Sequence, residues 1–409
     1  MILRDVGKIE SKKVICQHDH IHRLICMEPK YSISQVMRYI QGRGRMMRLL
    51  ATLLLVCPWV LATNLAQADV LINGLHHDGN AVASNTDEAR EVVATAGEDL
   101  AGYRISDTDP APSLDSESYY ARVNTSSPSQ LRCSLHATIK DHTAYPYSSR
   151  SGIDTWMILE IADEDPNNSD RILDAYRNRS YAKVSERAGR GRGLVYNREH
   201  TWPNSLGFAS AIGDKGLPNA PYTDTHMLYL TDAIWNADRG NKPYATCDSN
   251  CGERTTEPNN GHGGGSGYPG SSNWVRAPDG NGGSFEVWNH RKGDMARAVM
   301  YMAIRYEGGE DATTGQSEPD LELTDDRSKI VRTSASPAYM GLLSTLIDWH
   351  QADPPDAAER ARNEVIFRFQ GNRNPFIDHP EWATPVLFAS AKPINCQLRP
   401  TEHRPAASR

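Results

Sequence analysis

Asn197-Arg198-Glu199-His200-Thr201-Trp202-Pro203 is followed, after a long interval, by Asp224-Thr225-His226-Met227-Leu228 and then Trp235-Asn236-Ala237-Asp238-Arg239-Gly240-Asn241. Residues 193–199 and 226–230 have the β-branched, aromatic and alternating character of short strands. Thr231 or Asp232 can cap a helix whose second turn carries Asn236. Arg239 then falls on the same face at i+3, and Gly240 suits the helix end. The expected unit is strand, long loop, strand, helix. Neighbours on a regular strand point to opposite faces, so Glu199 and His200 can serve one site only where the strand ends, and Trp202-Pro203 is a plausible terminator.

Outward from this unit the chain reads as helix-rich. Apolar spacing predicts helices over 129–141, 153–164, 294–306, 338–350 and 356–369, with Asp294 as a cap of the third and Asp353-Pro354-Pro355 separating the last two. Arg297 and Arg305 are expected to be solvated or salt-bridged, and 163–168 (Asp-Glu-Asp-Pro-Asn-Asn) to be a solvated loop. The glycine tract 261–273 lacks the Gly-Lys-Ser/Thr of a phosphate loop and reads as a flexible surface insertion. The fold class is α+β.

Before this unit, residues 46–68 begin Met-Met-Arg, continue as an apolar run and end Ala66-Gln67-Ala68, the pattern of a cleaved secretory signal. Its apolar core is shorter than the roughly 20 residues of a membrane span. Residues 1–45 are basic and aperiodic and read as a misassigned upstream start. Residues 69–116 read as an irregular segment and linker with a faint lamin-tail-like look, 117–390 as the main domain and 391–409 as a tail. The first 68 residues hold ten Lys/Arg and four Asp/Glu, so of 44 basic and 51 acidic residues the remainder keeps 34 and 47, a formal charge of −13. That excludes a tight nucleic-acid binder of uniformly basic surface and suits an enzyme that releases its polymer. Cys133, Cys247, Cys251 and Cys396 remain of seven cysteines, and four in an exported chain favour two disulfides, expected as Cys247–Cys251 and Cys133–Cys396.

A histidine beside a carboxylate, with an amide oxygen on a nearby helix, suits phosphodiester hydrolysis. The imidazole takes a proton from water, while one hard cation neutralises charge on phosphorus. Magnesium keeps several waters, so Glu199 and Asn236 suffice as its protein ligands. Arg-Glu-His-Thr-Trp-Pro, Asp-Thr-His-Met-Leu and Asn-Ala-Asp-Arg-Gly-Asn together resemble the bacterial endonuclease I family of the His-Me finger (ββα-metal) group. The likeness continues through Gly293–Ala298 and Gly371–Pro380. It implies a secreted or periplasmic, monomeric endonuclease acting on DNA, with RNA open. His200 would be general base, and Glu199 and Asn236 would hold one Mg²⁺ (or Ca²⁺/Mn²⁺). Arg198 and Arg239 match arginines of the motifs. The phosphate-contacting arginine of some relatives has no counterpart in Thr201–Thr223, so Arg373 is the candidate. His226 either shapes the site or is structural. A ribonuclease or small-substrate phosphodiesterase, and a catalytically dead nucleic-acid-binding module, are the alternatives.

Overall fold

The computed structural model describes residues 116–400 apart from 191, 192, 248, 266 and 269, together with four short strands upstream (Glu10–Ile15, Ile21–Cys26, Leu71–Leu75 and Arg90–Val93). The chain divides into Met1–Ala111 and Pro112–Arg409. The leader expected at 46–68 lies outside the described residues.

The second unit mixes α and β. Among the described residues, six helices have seven or more residues: α1 (Pro128–Ile139), α2 (Thr155–Ala162), α3 (Ala233–Arg239), α4 (Lys292–Arg305), α5 (Leu343–Ala352) and α6 (Ala357–Gln370). None of the described helices is long and apolar enough to cross a membrane. The strands that position the site are β1 (Tyr196–His200) and β2 (Leu228–Asp232), an antiparallel pair in which Glu199 faces Tyr229 and Asn197 faces Thr231. Glu164–Asp165, Asn168–Leu173 and Ser180–Ala182 form another small sheet, and Gly252–Arg254, Asn273–Arg276 and Ser284–Glu286 a third.

Helix α4 is the axis of the core. Every residue from Gly293 to Arg305 is buried, including Arg297 and Arg305. A guanidinium cannot sit in apolar surroundings without partners. Arg297 is paired with Glu359 (2.5 Å) and Arg305 with Glu318 (2.8 Å). The helix starts at Lys292, two residues before the expected Asp294 cap; Asp294 instead sits in the first turn and binds Arg291 (2.6 Å).

Four sequence expectations change. The helix expected over 338–350 divides into a strand, Ala338–Met340, parallel to Leu321–Leu323, and then α5. Gly341 marks the break: a Cβ there would lie 2.2 Å from the Thr324 carbonyl oxygen. Residues 226–227 precede β2 because Asp224 accepts from the His226 amide (3.0 Å), making a turn that short polar side chains favour. The acidic run at 163–168 is part of a hairpin, and its Asp163 is engaged with Arg362 (2.7 Å) and the Leu230 amide (2.9 Å). The start of the glycine tract is tied down, since Asn178 Nδ2 donates to the carbonyls of Glu257 and His262 (3.0 Å each).

Both expected disulfides are present, Cys133–Cys396 and Cys247–Cys251. The first fastens the stretch read as a tail onto α1, where Gln130 also binds Asn395 and Gln397.

Candidate active site

Asp232 ends β2 and caps α3, its Oδ1 accepting from the Ile234 (2.7 Å) and Trp235 (3.3 Å) amides. The same carboxylate binds Arg177 (2.8 Å) and Tyr181 (2.5 Å), which locks the junction of strand and helix. Helix α3 closes at Gly240, whose φ of 56° and ψ of −129° suit glycine. Asn236 and Arg239 are thereby held against the strand pair, as the spacing predicts.

Glu199 lies on one face of β1, 3% exposed. Its Oε1 accepts from Arg239 Nη1 (2.8 Å) and Tyr176 Oη (3.0 Å). Burial raises the carboxyl to about 7, against the lowering pull of Arg239 and Tyr176. Among the described residues nothing donates to Oε2. Asn236 is half-buried, and its Nδ2 donates to Thr231 Oγ1 (3.3 Å). Thr231 faces Asn197, so it and Glu199 share a face of the ribbon. The Asn236 Oδ1 has no protein donor among the described residues.

His200 ends the strand on the opposite face. Its ring packs against Tyr222 (centroids 4.5 Å), Tyr147 (5.7 Å, 29° between planes) and Phe208 (6.4 Å). Nε2 lies 3.0 Å from the Tyr222 carbonyl oxygen. A carbonyl only accepts, so Nε2 carries the proton and Nδ1 holds the lone pair. Nδ1 has no protein partner among the described residues and is not sealed from solvent. Burial is the main force holding the imidazole down to about 3, with Arg198 and Arg239 adding to it against the Tyr222 hydrogen bond. The ring is therefore neutral near pH 7, the state in which it can accept a proton.

The two faces meet at the strand end through Arg239. Its Nη1 binds both Glu199 and the His200 carbonyl (2.8 Å each), and Nη2 binds the Thr201 carbonyl (2.6 Å). The guanidinium is 1% exposed and stacks on Tyr244 (4.5 Å). It fixes geometry and has no surface to offer a ligand. Arg198 is equally committed: its guanidinium lies 3.3 Å from the Tyr147 ring centroid and 3.9 Å from that of Trp156, and donates to the Tyr147 carbonyl and Thr155 Oγ1. Arg373 is bracketed by Asp378 (2.8 Å) and Glu364 (2.7 Å), so the role of phosphate contact is not visible in its present partners. His226 is buried, with Nε2 on the Asn372 carbonyl (2.9 Å), its ring against Tyr301 and burial lowering it to about 4. Its surroundings are those of a structural residue.

Tyr147, Tyr176 and Tyr222 escaped the sequence reading. Tyr222 acts through a backbone carbonyl, which no side-chain pattern reports. Tyr147 and Tyr176 are distant in sequence from the motifs and reach them only through the fold.

Among the described residues no three His, Cys, Asp or Glu side chains converge as a metal cage. Glu199 Oε2 and Asn236 Oδ1 nevertheless offer one anionic and one neutral oxygen without protein donors. That set fits a hard cation that keeps most of its waters.

Residues 127–381 match the family described as Endonuclease I. The chain is 37% identical over 302 residues to an extracellular ribonuclease of Bacillus amyloliquefaciens, spanning 73% of this chain and 88% of that protein. It is 35% identical over 279 residues to an extracellular ribonuclease of Bacillus subtilis (strain 168), spanning 68% and 80%.

Proposed function

Because the chain belongs to the endonuclease I family and is a nuclease, we propose that it is an exported enzyme cutting RNA and DNA chains by attack of a water activated at His200. The observation that carries this reading is the tautomer of His200. The Tyr222 carbonyl accepts a hydrogen bond from Nε2–H, which keeps the proton on that nitrogen and leaves the Nδ1 lone pair open to accept one from water. Export is supported by the leader-like sequence at 46–68 and by relatives described as extracellular.

Glu199 and Asn236 are the residues that would hold one divalent ion of the Mg²⁺ type (Ca²⁺ or Mn²⁺ being the alternatives). When bound, such an ion supplies positive charge to the phosphate oxygens and a polarised water to protonate the leaving oxygen. Burial keeps the Glu199 carboxyl raised even with Arg239 on Oε1, so a second cation at Oε2 would offset part of the remaining cost of its charge. The protein's own part is positional. Tyr147 and Tyr222 hold the imidazole plane, Arg239 fixes the strand end, and Tyr176 orients the carboxylate.

The relatives' names support RNA, and a site that activates water supports DNA as well. Cleavage through the 2′-hydroxyl of RNA draws on a second acid–base group opposite the first. His226 and His142 are both buried in hydrogen-bonded or charged surroundings and give none. Attack by water needs no 2′-hydroxyl.

End-labelled RNA and DNA of one sequence, incubated with and without EDTA, test the reading. Expected are cleavage of both, loss of both with chelator, and no 2′,3′-cyclic phosphate ends. His200→Ala should lower turnover by about 10²- to 10⁴-fold while polymer binding persists. Cyclic phosphate products, or a His200→Ala enzyme of unchanged rate, would falsify it.

A further inference from the structure

A polymer anion has to be gripped beside the bond that is cut, and the chain as a whole is acidic. Most guanidinium groups around the strand pair are already engaged. Arg198 is stacked and hydrogen-bonded, Arg239 is buried on Glu199, and Arg362 is on Asp163. Arg150 differs: it is exposed, and among the described residues no hydrogen bond or ion pair involves it.

Its position follows from the loop that carries it. The loop between Pro146 and Thr155 is closed by a backbone hydrogen bond from Thr155 to Pro146 (3.1 Å). Asp154, the cap of α2, also accepts from the Ser149 amide (2.8 Å). Arg198, two residues before His200, donates to the Tyr147 carbonyl and to Ser148 Oγ (3.3 Å). The Tyr147 ring rests on the His200 imidazole. Two residues of chain span at most about 7 Å, so Arg150 stands close to the point where this loop is stitched to the catalytic strand. The Arg190 side chain is also exposed and without a hydrogen bond or ion pair among the described residues, but its loop bridges to Tyr196, four residues and roughly 13 Å back along β1.

We propose that Arg150 binds a phosphate of the nucleic-acid chain next to the scissile one, making the Ser148–Gly152 turn a subsite for the neighbouring nucleotide. The inference rests on His200 marking the reacting phosphate. Tyr147, whose ring packs on the imidazole, precedes Arg150 by three residues, which allows an offset of up to about 11 Å of chain, so the loop's cation meets the adjoining phosphodiester and leaves the attacked one to the site. A phosphate contact fixes register without reading bases, so the subsite accepts any sequence. The turn is held by Asp154 and Arg198 before substrate arrives, which limits the ordering cost of binding.

Arg150→Ala and Arg150→Lys are compared with the unaltered enzyme on a single-stranded oligonucleotide and on bis(p-nitrophenyl) phosphate, which has only one phosphate. For the alanine variant, KM for the oligonucleotide is expected to rise roughly five- to ten-fold with kcat within about two-fold. The slope of log(1/KM) against log salt should become shallower by about 0.7, the value of one phosphate contact on a single strand. Preference for the oligonucleotide over the chromogenic diester should fall by the same factor, and lysine should restore most of it. An unchanged KM and salt slope, or an equal loss on both substrates, overturns the proposal. His200→Ala run alongside separates the two readings. If it remains active, the assignment of the base fails; if it is inactive and Arg150→Ala is unaltered, only the subsite fails.

Discussion

The two faces of one five-residue strand have opposite characters. On one, Glu199 is enclosed, doubly hydrogen-bonded and tied to a buried arginine. On the other, His200 has one nitrogen fixed by a backbone carbonyl and the other left open, within a wall of three aromatic rings. Backbone alternation alone puts adjacent residues on opposite sides. The contrast teaches that the carboxylate side is built for rigidity and the imidazole side for access. Arg239 couples the two by binding the carboxylate and the carbonyl of His200 through one nitrogen.

Removing that coupling should have the largest effect. Arg239→Ala leaves a buried carboxylate without its cation and frees the His200 and Thr201 carbonyls. Breaking a buried ion pair from one side costs about 3–5 kcal/mol. Chemical denaturation should show a loss of that order, and activity should fall with it even below the unfolding transition. A variant of unaltered stability would mean that Glu199 is solvated or protonated and that the enclosed character of its face is wrong.

The next effect concerns what lies under the open face. Tyr222 is two residues before Asp224, which accepts from Tyr301 (2.8 Å), Tyr306 (2.9 Å) and Gln370 (3.1 Å). His226 and His142 flank this carboxylate. Burial lowers His226 from 6.5 to about 4 and His142 to about 3. Between the folded and unfolded values the unfolded chain binds more protons at these positions. Stability from them is therefore complete above pH 6.5 and is lost as pH falls from 6.5 toward 4. For His226 alone the loss by pH 4 is on the order of 2–3 kcal/mol. Asp174 and Asp353, both raised to about 6, Glu199, raised to about 7, and Glu359, also raised, all mainly by burial, oppose it across that window. The His226 contribution is therefore read as a difference: on going from pH 8 to 4, the melting temperature of His226→Gln should gain relative to that of the unaltered chain. An identical pH dependence in the two would place the acid sensitivity elsewhere.

Much of the site could be read from the chain, because its chemistry is carried by side chains close in sequence. Glu199 and His200 are adjacent, and the cap Asp232, the amide Asn236 and the closing Gly240 follow helical spacing. The disulfides were legible for a similar reason, since four cysteines leave few pairings. What stayed hidden depends on three-dimensional closure. The buried arginines show it best: Arg297 and Arg305 read as ordinary helix charges, yet the central position of α4 forces each onto a glutamate outside the helix. The strand at Ala338–Met340 was hidden by apolar residues that also satisfy a helical period, and only pairing with Leu321–Leu323 decides between them.

Tyr147 gives the finest test of the difference between the faces. Its ring touches both Arg198 and His200, whereas its hydroxyl makes no hydrogen bond among the described residues. If the open face works by holding the imidazole plane, the ring matters and the hydroxyl does not. Tyr147→Ala should lower kcat about ten-fold, an effect of about 1.4 kcal/mol on the barrier, with a smaller change in KM. Tyr147→Phe should stay within about two-fold of the unaltered enzyme. The kcat–KM split distinguishes orientation from loss of substrate contact, because a ring that served only to bind the polymer would raise KM and spare kcat. Should phenylalanine prove as damaging as alanine, the hydroxyl takes part in the reaction, and the open face contains a second group that handles protons.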